Sequence, residues 1–149
     1  MSEHTPQKIV HIHQGEQNFK TVMTVGRHEI IADEPEGPGG QDAGPDPYDL
    51  LLMSLGSCSV ITMRMYANRK EWALEDIYVE LRHYKAHAKD CEDCETKNAR
   101  LDYIEKEIIV KGDLDEDQVN KLLEISKKCP VHRTLLSEIS IESFMQKAR

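Results

Sequence analysis

Residues 44–68, GPDPYDLLLMSLGSCSVITMRMYAN, predict one long helix on which the rest of the fold depends. Asp46 is a good N-cap, Pro47 suits the first helical position, and Asp49 brings negative charge to the free amides of the first turn. Apolar residues then occupy every side of the helical wheel as far as Arg64. The pattern indicates a buried core helix. One small, charge-rich chain has too little apolar surface to cover this helix on all sides. We therefore expect an intimate dimer in which a second subunit supplies part of that surface.

The composition is that of a small acidic protein. The chain has 149 residues and a net charge of −8, with no shift in composition that would divide it, so we expect one domain spanning residues 1–149. No basic segment followed by an apolar one opens the chain, which argues against a secretory signal and favours the cytoplasm. The apolar run of the helix is short and contains Ser and Gly, so no membrane span is expected. No basic block is interleaved with aromatic residues, so no nucleic-acid partner is expected.

Three segments before the helix alternate at period two and predict an antiparallel meander: residues 8–13, 19–25 and 28–32. Residues 33–46 are rich in proline, glycine and acids, which predicts a loop. This loop is either a flexible connection or a lid over the helix.

The second half of the chain predicts two long strands, then two helices and a last strand. Residues 70–76 predict a turn, and residues 77–88 and 103–111 alternate as a pair of strands, with the apolar centre of the second one buried on both sides. Asp115 caps an amphipathic helix whose apolar stripe is Val119, Leu122, Leu123 and Ile125. Pro130 begins a short helix that ends at Leu136, and residues 139–144 predict a closing strand. The order predicts an α+β domain with antiparallel sheets around a long central helix.

Four cysteines in a chain with no visible export signal favour thiol chemistry or metal binding over a disulfide framework. Cys58 follows Gly56 and Ser57 in the long helix, and these small neighbours leave its sulfur reachable. The alternative is an inert, buried thiol. Cys129 is the predicted N-cap of the third helix, and the positive potential there favours a thiolate. The basic residues near it in sequence are Lys127, Lys128, His132 and Arg133. The alternative is a cysteine that fills space. If the second helix packs on the first, the two sulfurs come within disulfide range.

The segments GPDPYDLLLMSLGSC and KKCPVHRTL, with strands before, between and after them, resemble the OsmC-like family, which includes the Ohr-type organic hydroperoxide reductases. The resemblance spans essentially the whole chain. It implies an intertwined α+β homodimer with an active site at each subunit interface. It also implies that Cys58 attacks the peroxide bond and becomes a sulfenic acid, and that Cys129 then condenses with it to a disulfide. A dithiol, either a lipoylated protein or a small thiol, would reduce the disulfide, and no cofactor would be required.

Two positions depart from the pattern that the resemblance implies. The peroxidatic members carry a Glu ten residues before the first cysteine, where it orients an Arg that holds the thiolate. This chain has Tyr48 at that position and Asp49 next to it, and Arg27 is the one arginine that precedes Cys58. Asp49 and Arg27 are therefore the candidate substitutes. The alternatives are that Asp49 only starts the helix and that Arg27 only occupies a turn, in which case turnover is slow or absent.

His83, His87, Cys91 and Cys94 form the pattern H-x3-H-x3-C-x2-C, which offers donors of the type that zinc prefers. A strand would hold the two histidines about 13 Å apart at about 3.3 Å per residue, too far for one ion. The candidate zinc ligands are therefore His87, Cys91 and Cys94, together with a nearby acid. Two alternatives stay open: a redox-active C-x-x-C pair, and two surface thiols without a role.

The sequence as a whole predicts a cytoplasmic, thiol-dependent peroxidase that uses Cys58 and Cys129. The apolar surroundings of the long helix favour an alkyl or lipid hydroperoxide over hydrogen peroxide as substrate. A non-catalytic OsmC-like dimer that binds a small ligand or senses redox state is the first alternative. A metal-binding or structural role of the segment around Cys91 and Cys94 is the second.

Overall fold

The computed structural model describes residues 8–16, 18–87 and 100–148. It has the predicted α+β architecture, with two antiparallel sheets and one long helix. The chain divides into two compact units, the first ending at Leu51 and the second beginning at Leu52, so that the boundary falls within the long helix. The single domain expected from the chain length stays a prediction.

The first unit contains the predicted three-stranded meander. Its strands are β1 (His11–Gln14), β2 (Thr21–Val25) and β3 (His28–Ala32), paired antiparallel in the order β1-β2-β3. Val25 pairs with His28, so that Gly26 and Arg27 form a two-residue turn. Gly26 has a φ of 56°, in the left-handed region that such hairpin turns require. β1 and β2 are both shorter than the alternating sequence pattern predicted.

The loop that follows β3 is built around the side chain of Asp33, which is only 3% exposed. Its carboxylate accepts hydrogen bonds from the backbone amides of Glu34, Gln41 and Ala43, at 2.8, 3.1 and 3.1 Å. Burial raises the pKa of Asp33, but these three hydrogen bonds and the charge of Lys20 lower it, and the net pKa lies below the usual value. The loop is therefore folded around one ionised side chain.

Two glycines in this loop have no room for a side chain. A Cβ atom on Gly40 would lie 1.9 Å from the carbonyl oxygen of Glu34, and one on Gly44 would lie 2.1 Å from that of Ile31. Because both obstacles are backbone atoms, neither contact can be relieved by a side-chain rotation. The interpretation of residues 33–46 as a merely flexible connection is therefore not favoured.

The long helix α1 (Pro47–Arg69) begins as predicted at an Asp46 cap. The Asp46 carboxylate accepts from the Asp49 amide at 2.8 Å, and the Asp49 carboxylate accepts from the Asp46 amide at 3.0 Å. This reciprocal pair satisfies two of the free amides at the helix start. It also gives Asp49 a structural role at the cap.

The prediction that α1 is buried on every side is wrong for the single chain. The buried residues form one stripe, Leu55, Gly56, Ser59, Met63 and Ala67. Met53, Ile61 and Met65 on the other faces are each more than half exposed. By length and composition α1 is able to cross a membrane, with a mean hydropathy of 1.4 and 28% of that span buried. The core helix of a soluble protein meets the same criterion, so this property alone decides nothing.

The second unit contains a long two-stranded hairpin, β4 (Ala73–His87) and β5 (Arg100–Asp113). Both strands extend beyond the predicted ranges, and β4 begins within the segment that was expected to be a turn. A bulge between Leu74 and Asp76 interrupts the register there. The Arg64 guanidinium of α1 donates to the backbone carbonyls of Leu74 and Glu75 beside this bulge. Arg64 thus supplies hydrogen bonds to two carbonyls at the point where the pairing between the strands is irregular.

Cross-strand side-chain pairs stiffen the part of the hairpin away from the bulge. Tyr84 and Tyr103 stack with ring centroids 5.0 Å apart. Asp102 accepts from Lys85 at 2.7 Å and lies 2.8 Å from the ring nitrogen of His83. Such pairs are the unit of sheet stabilisation.

Two helices complete the second unit, α2 (Glu116–Ser126) and α3 (Pro130–Leu136). Asp115 and Gln118 form the predicted capping box of α2, and Cys129 is the predicted N-cap of α3. The buried core cluster joins α1, β4 and α2 and consists of Met63, Ala67, Leu74 and Leu122. Trp72 packs against this cluster and meets the Tyr66 ring edge-on at 5.4 Å.

Two predictions about apolar segments are wrong. Ile108 and Val110 pack against the core, but Ile109 between them is 50% exposed, so β5 alternates and is not buried on both faces. Residues 138–148 form neither helix nor strand, and the predicted last strand over 139–144 is absent. The backbone of a strand needs a neighbouring strand, and none among the described residues pairs with this segment. Phe144 is 91% exposed.

Candidate functional site

Cys58 lies on α1 in the second unit, where the helix passes close to the hairpin. A Cβ atom on Gly56 would lie 2.8 Å from a methyl carbon of Leu81, so this glycine lets β4 approach the helix. The Cys58 side chain is half-buried. Its sulfur interacts with the backbone amide of Val131 and with the Thr62 hydroxyl. The residue is therefore only partly buried, while the accessibility of its sulfur stays a prediction.

Cys129 lies in the short connection between α2 and α3 and is completely buried. Pro130 at the first helical position makes Cys129 the N-cap, and the backbone amide of His132 donates to its sulfur at 3.3 Å. The Ser59 hydroxyl of α1 lies 3.7 Å from the same sulfur and 2.9 Å from the Leu55 carbonyl, and donates its proton to one or the other. Local sequence thus determines the cap, and packing adds the contact with α1.

The structure brings the two thiols close enough for each to act on the pKa of the other, although they come from separate helices. Burial raises the pKa of Cys58, as do the hydrogen bond to Cys129 and the charge there, against opposing contributions from Val131 and Thr62, and the net pKa is raised. Burial also raises the pKa of Cys129, but hydrogen bonds from other residues, together with the charge of Lys106, outweigh it, and the net pKa is lowered. Cys129, whose pKa is lowered, is therefore the more acidic of the two thiols.

Lys106 joins the cluster from β5, and the sequence analysis missed it. Its ammonium donates to Ser59 Oγ at 2.9 Å, to the Ser126 carbonyl at 3.2 Å and to His132 Nδ1 at 3.3 Å. A usable signal was present in the sequence. Lys106 falls at the same period-two positions as Ile104, Ile108 and Val110, so the strand pattern places it on the inward face.

Burial is the largest influence on the pKa of Lys106 and of His132. It lowers both, and the charge of Lys127 lowers both further. For Lys106 the two thiols, Cys129 before Cys58, act in the opposite direction. Lys106 in turn lowers the pKa of the His132 ring. The ring is therefore neutral near pH 7, which suits Nδ1 as the acceptor from Lys106.

The other candidate catalytic residues lie in the first unit. Arg27 occupies the turn between β2 and β3, and Asp49 binds the backbone at the start of α1. Asp49 thus has the helix-start role that was the alternative to a catalytic one. The catalytic roles of both residues remain predictions.

The proposed metal ligands fall largely outside the described residues. His87 is the last residue of β4, while Cys91 and Cys94 lie in the segment between residues 87 and 100 that is not described. Among the residues that are described, no group of three His, Cys, Asp or Glu side chains is arranged to hold a metal ion. The zinc site, the redox pair and the inert thiols all remain open.

Comparisons with other proteins identify the family. The family model described as "OsmC-like protein" matches residues 39–144, which include both Cys58 and Cys129. The chain belongs to the OsmC-like protein family. No curated protein sequence matches it significantly.

Solved structures of other OsmC-like proteins share the fold. An OsmC-like protein from Mycoplasma pneumoniae has 17% sequence identity, 87% of each chain covered and a TM-score of 0.68. The organic hydroperoxide resistance protein OsmC of Legionella pneumophila has 18% identity, 87% of this chain and 88% of its own covered, and a TM-score of 0.62. An organic hydroperoxide resistance protein from Elizabethkingia anophelis has 15% identity, 89% of each chain covered and a TM-score of 0.63. At these identities the likeness establishes the fold.

Proposed function

We propose that this OsmC-like protein reduces organic hydroperoxides with thiol reductants, in two steps carried by Cys58 and Cys129. The observation that supports the proposal most directly is the proximity of the two thiols, which come from different elements of the second unit and act on each other's pKa. Two family members of similar structure are named as organic hydroperoxide resistance proteins, which agrees with this chemistry.

The different burial of the two cysteines supports the proposed order of their reactions. Cys58 is half-buried, while Cys129 has no exposed surface. A hydroperoxide from solution therefore meets Cys58 first, and Cys58 is the peroxidatic cysteine. Cys129, enclosed and already in contact with Cys58, is the resolving cysteine.

The raised pKa of Cys58 means that its proton must leave before the sulfur attacks. The Cys129 thiolate, which lies near Cys58 and has a lowered pKa, takes up this proton. The Cys58 thiolate then attacks the outer oxygen of the hydroperoxide, the O–O bond breaks, and Cys58 becomes a sulfenic acid. The departing alkoxide takes a proton from Cys129 and leaves as the alcohol. Cys129 is again a thiolate at the end of this step.

The second step forms the disulfide. The Cys129 thiolate attacks the Cys58 sulfenic acid, and the oxygen leaves as water after taking up a proton. A dithiol, such as a lipoylated protein or a small thiol, reduces the disulfide by thiol exchange. These reaction steps require no bound cofactor. We place it in the cytoplasm, where thiol reductants keep such pairs reduced between turnovers.

We further propose that the active form is a homodimer whose second copy covers the exposed face of α1. In the second unit that face carries Met53, Ile61 and Met65, each more than half exposed. An open cleft of about 410 Å³ runs along it beside the start of β4, and its lining includes Val60 and Ile77. Exposed apolar surface of this kind is typical of an interface. A second copy would also make the site's surroundings apolar, which favours an alkyl or lipid hydroperoxide.

Peroxide consumption with defined variants tests the function. Stopped-flow assays should show consumption of cumene hydroperoxide, faster than that of hydrogen peroxide, with dihydrolipoamide or dithiothreitol as reductant. Cys58→Ser should abolish it, and Cys129→Ser should allow Cys58 to overoxidise to sulfinic acid, as detected by intact-protein mass. Ser57→Ala, at the exposed serine that precedes Cys58, is the matched control and should leave the rate unchanged. Equal rates in the wild-type protein and Cys58→Ser would rule out this function.

A redox sensor on the same scaffold is the second candidate. The raised pKa of Cys58 favours it, because a thiol that is mostly protonated reacts slowly with peroxide. A sensor would form the Cys58–Cys129 disulfide once per chain and show no continued turnover with dithiols. The same assay, run with limiting protein and excess hydroperoxide, distinguishes the two by the number of peroxide molecules consumed per chain.

A further inference from the structure

Lys106 presents a cation to the cysteine pair from the neighbouring sheet. A lysine ammonium has three N–H donors, and here all three have partners: Ser59 Oγ, the Ser126 carbonyl and His132 Nδ1, at 2.9, 3.2 and 3.3 Å. Three bonds from one atom to three different elements fix its position. The three hydrogen bonds thus hold the ammonium group in one position.

The charge of Lys106 has no carboxylate to balance it in the described part of the chain. The ion pairs found there use other cations: Arg82, His83, Lys85 and Lys121. A partly buried charge is costly unless an opposite charge or a full set of hydrogen bonds compensates it. The acidic groups that act on Lys106 are the thiols of Cys129 and, more weakly, Cys58. The counter-ion available to this ammonium is therefore a thiolate.

The groups that face the Cys129 sulfur come from three elements. Cys58 and Ser59 approach from α1, Lys106 from β5, and His132 from α3. Lys127, in the connection before Cys129, adds positive charge that acts on Lys106 and His132. Because the His132 ring is neutral near pH 7 and contributes its backbone amide, Lys106 is the cation whose charge acts on this sulfur.

We propose that Lys106 is a positioning residue for the resolving step: acting through Ser59, its ammonium holds negative charge on the Cys129 sulfur, which keeps that sulfur ready to attack oxidised Cys58. This inference rests on the proposed two-cysteine function and deepens it. In the step concerned, a sulfur–sulfur bond forms and the S–O bond of the sulfenic acid breaks. The Cys129 sulfur is oxidised, the Cys58 sulfur is reduced, and the hydroxide that leaves takes a proton from solvent to become water.

Thiolate titration tests the inference without any peroxide. In a protein carrying Cys58→Ser, Cys91→Ser and Cys94→Ser, the absorbance near 240 nm reports ionisation of Cys129 alone. Adding Lys106→Met should move the titration midpoint upward by about one pH unit or more, a tenfold loss of thiolate, because a nearby cation favours the charged form. Lys106→Arg, which keeps the positive charge, should return the midpoint most of the way to its value with Lys106. Lys111→Met, an exposed lysine on the same strand, is the matched control and should not move the midpoint.

The Ser59→Ala variant provides a second route to the same answer if Lys106→Met folds poorly. It removes the bridge between the ammonium and the sulfur but leaves Lys106 bonded to Ser126 and His132. Ser57→Ala, an exposed serine two positions away, is its control. Midpoints that stay within the control range in both Lys106→Met and Ser59→Ala would overturn the inference, whether or not the protein consumes hydroperoxide.

The pH profile of disulfide formation tests the catalytic consequence. With Cys58 intact and one equivalent of cumene hydroperoxide, the wild-type rate of disulfide formation should be constant near neutral pH. In Lys106→Met the rate should be about tenfold lower at pH 7 and should recover at high pH, where Cys129 ionises without help. A merely structural role for Lys106 would lower the rate equally at all pH values and would contradict the inference. Failure of the wild type to react with hydroperoxide would refute the proposed function, and the titration would still decide the role of Lys106.

Discussion

Leu122 and Leu123 are neighbours on α2 that differ chiefly in their surroundings. Leu122 is 1% exposed and belongs to the core cluster, while Leu123 is 47% exposed. We predict that Leu122→Ala lowers the free energy of unfolding by about 2–5 kcal/mol, because the deletion leaves a cavity as well as losing buried apolar surface. Leu123→Ala is the matched control and should cost much less. Urea denaturation of both variants measures the difference, and equal losses would contradict the assignment of the core.

At the scale of single residues, the sequence predicted the cap position of Cys129 but did not single out Lys106, whose charge acts on the Cys129 sulfur. Cys129 was identified as an N-cap because Pro130 follows it, which is a local rule. Lys106 reaches Ser59 because β5 packs against α1. The sequence periodicity indicates which face of β5 carries Lys106, but it does not indicate which helix lies against that face. The same limit applies to the stripe of α2, of which Leu122 and Ile125 are buried while Val119 is 40% exposed.

At the scale of elements, the loop built around Asp33 should make stability depend on pH. Because the pKa of Asp33 is lower in the folded protein than in the unfolded chain, ionisation stabilises the fold above the unfolded value, about 3.9, and this contribution is lost as the pH falls through the folded value. We predict that Asp33→Asn lowers the urea midpoint at pH 7 and that the difference from wild type narrows below about pH 4.

The control for this prediction is Asp42→Asn, an exposed aspartate in the same loop. Its urea midpoint should stay close to that of the wild type at both pH values. A difference between Asp33→Asn and wild type that is the same at pH 7 and at pH 3 would show that the charge of Asp33 does not hold the loop.

The elements that sequence analysis predicted well are those whose signals are local. Local signals correctly predicted the starts of all three helices of the described chain. These signals are the N-caps Asp46 and Asp115 and the prolines at the first helical position, Pro47 and Pro130. The prediction of a strand over residues 139–144 was wrong because an alternating pattern indicates only a preference for extended backbone. Pairing depends on a partner elsewhere, which no pattern within the segment identifies.

At the scale of the whole molecule, the exposed face of α1 predicts a dimer. Size-exclusion chromatography with light scattering should give about twice the chain mass of 17.1 kDa. Met65→Glu should shift the protein towards the monomer, because it places a charge in an apolar interface. Val119→Glu, which places a charge at the partly exposed end of the apolar stripe of α2, should leave the mass unchanged. A monomeric wild-type protein at micromolar concentration would refute the proposed dimer.

The length of the β4–β5 hairpin gives it the geometry of a lever. Beyond Leu81, which meets Gly56, β4 continues to His87, about 20 Å further at about 3.3 Å per residue. The stacked tyrosines and the pairs to Asp102 stiffen this arm. A tilt of about 10° at Leu81 would therefore displace the end of the described hairpin, where His87 pairs with Arg100, by roughly 3 to 4 Å, given the rise per residue of a strand. A small change of angle beside Gly56 would thus become a displacement of several ångströms at the far end of the strands.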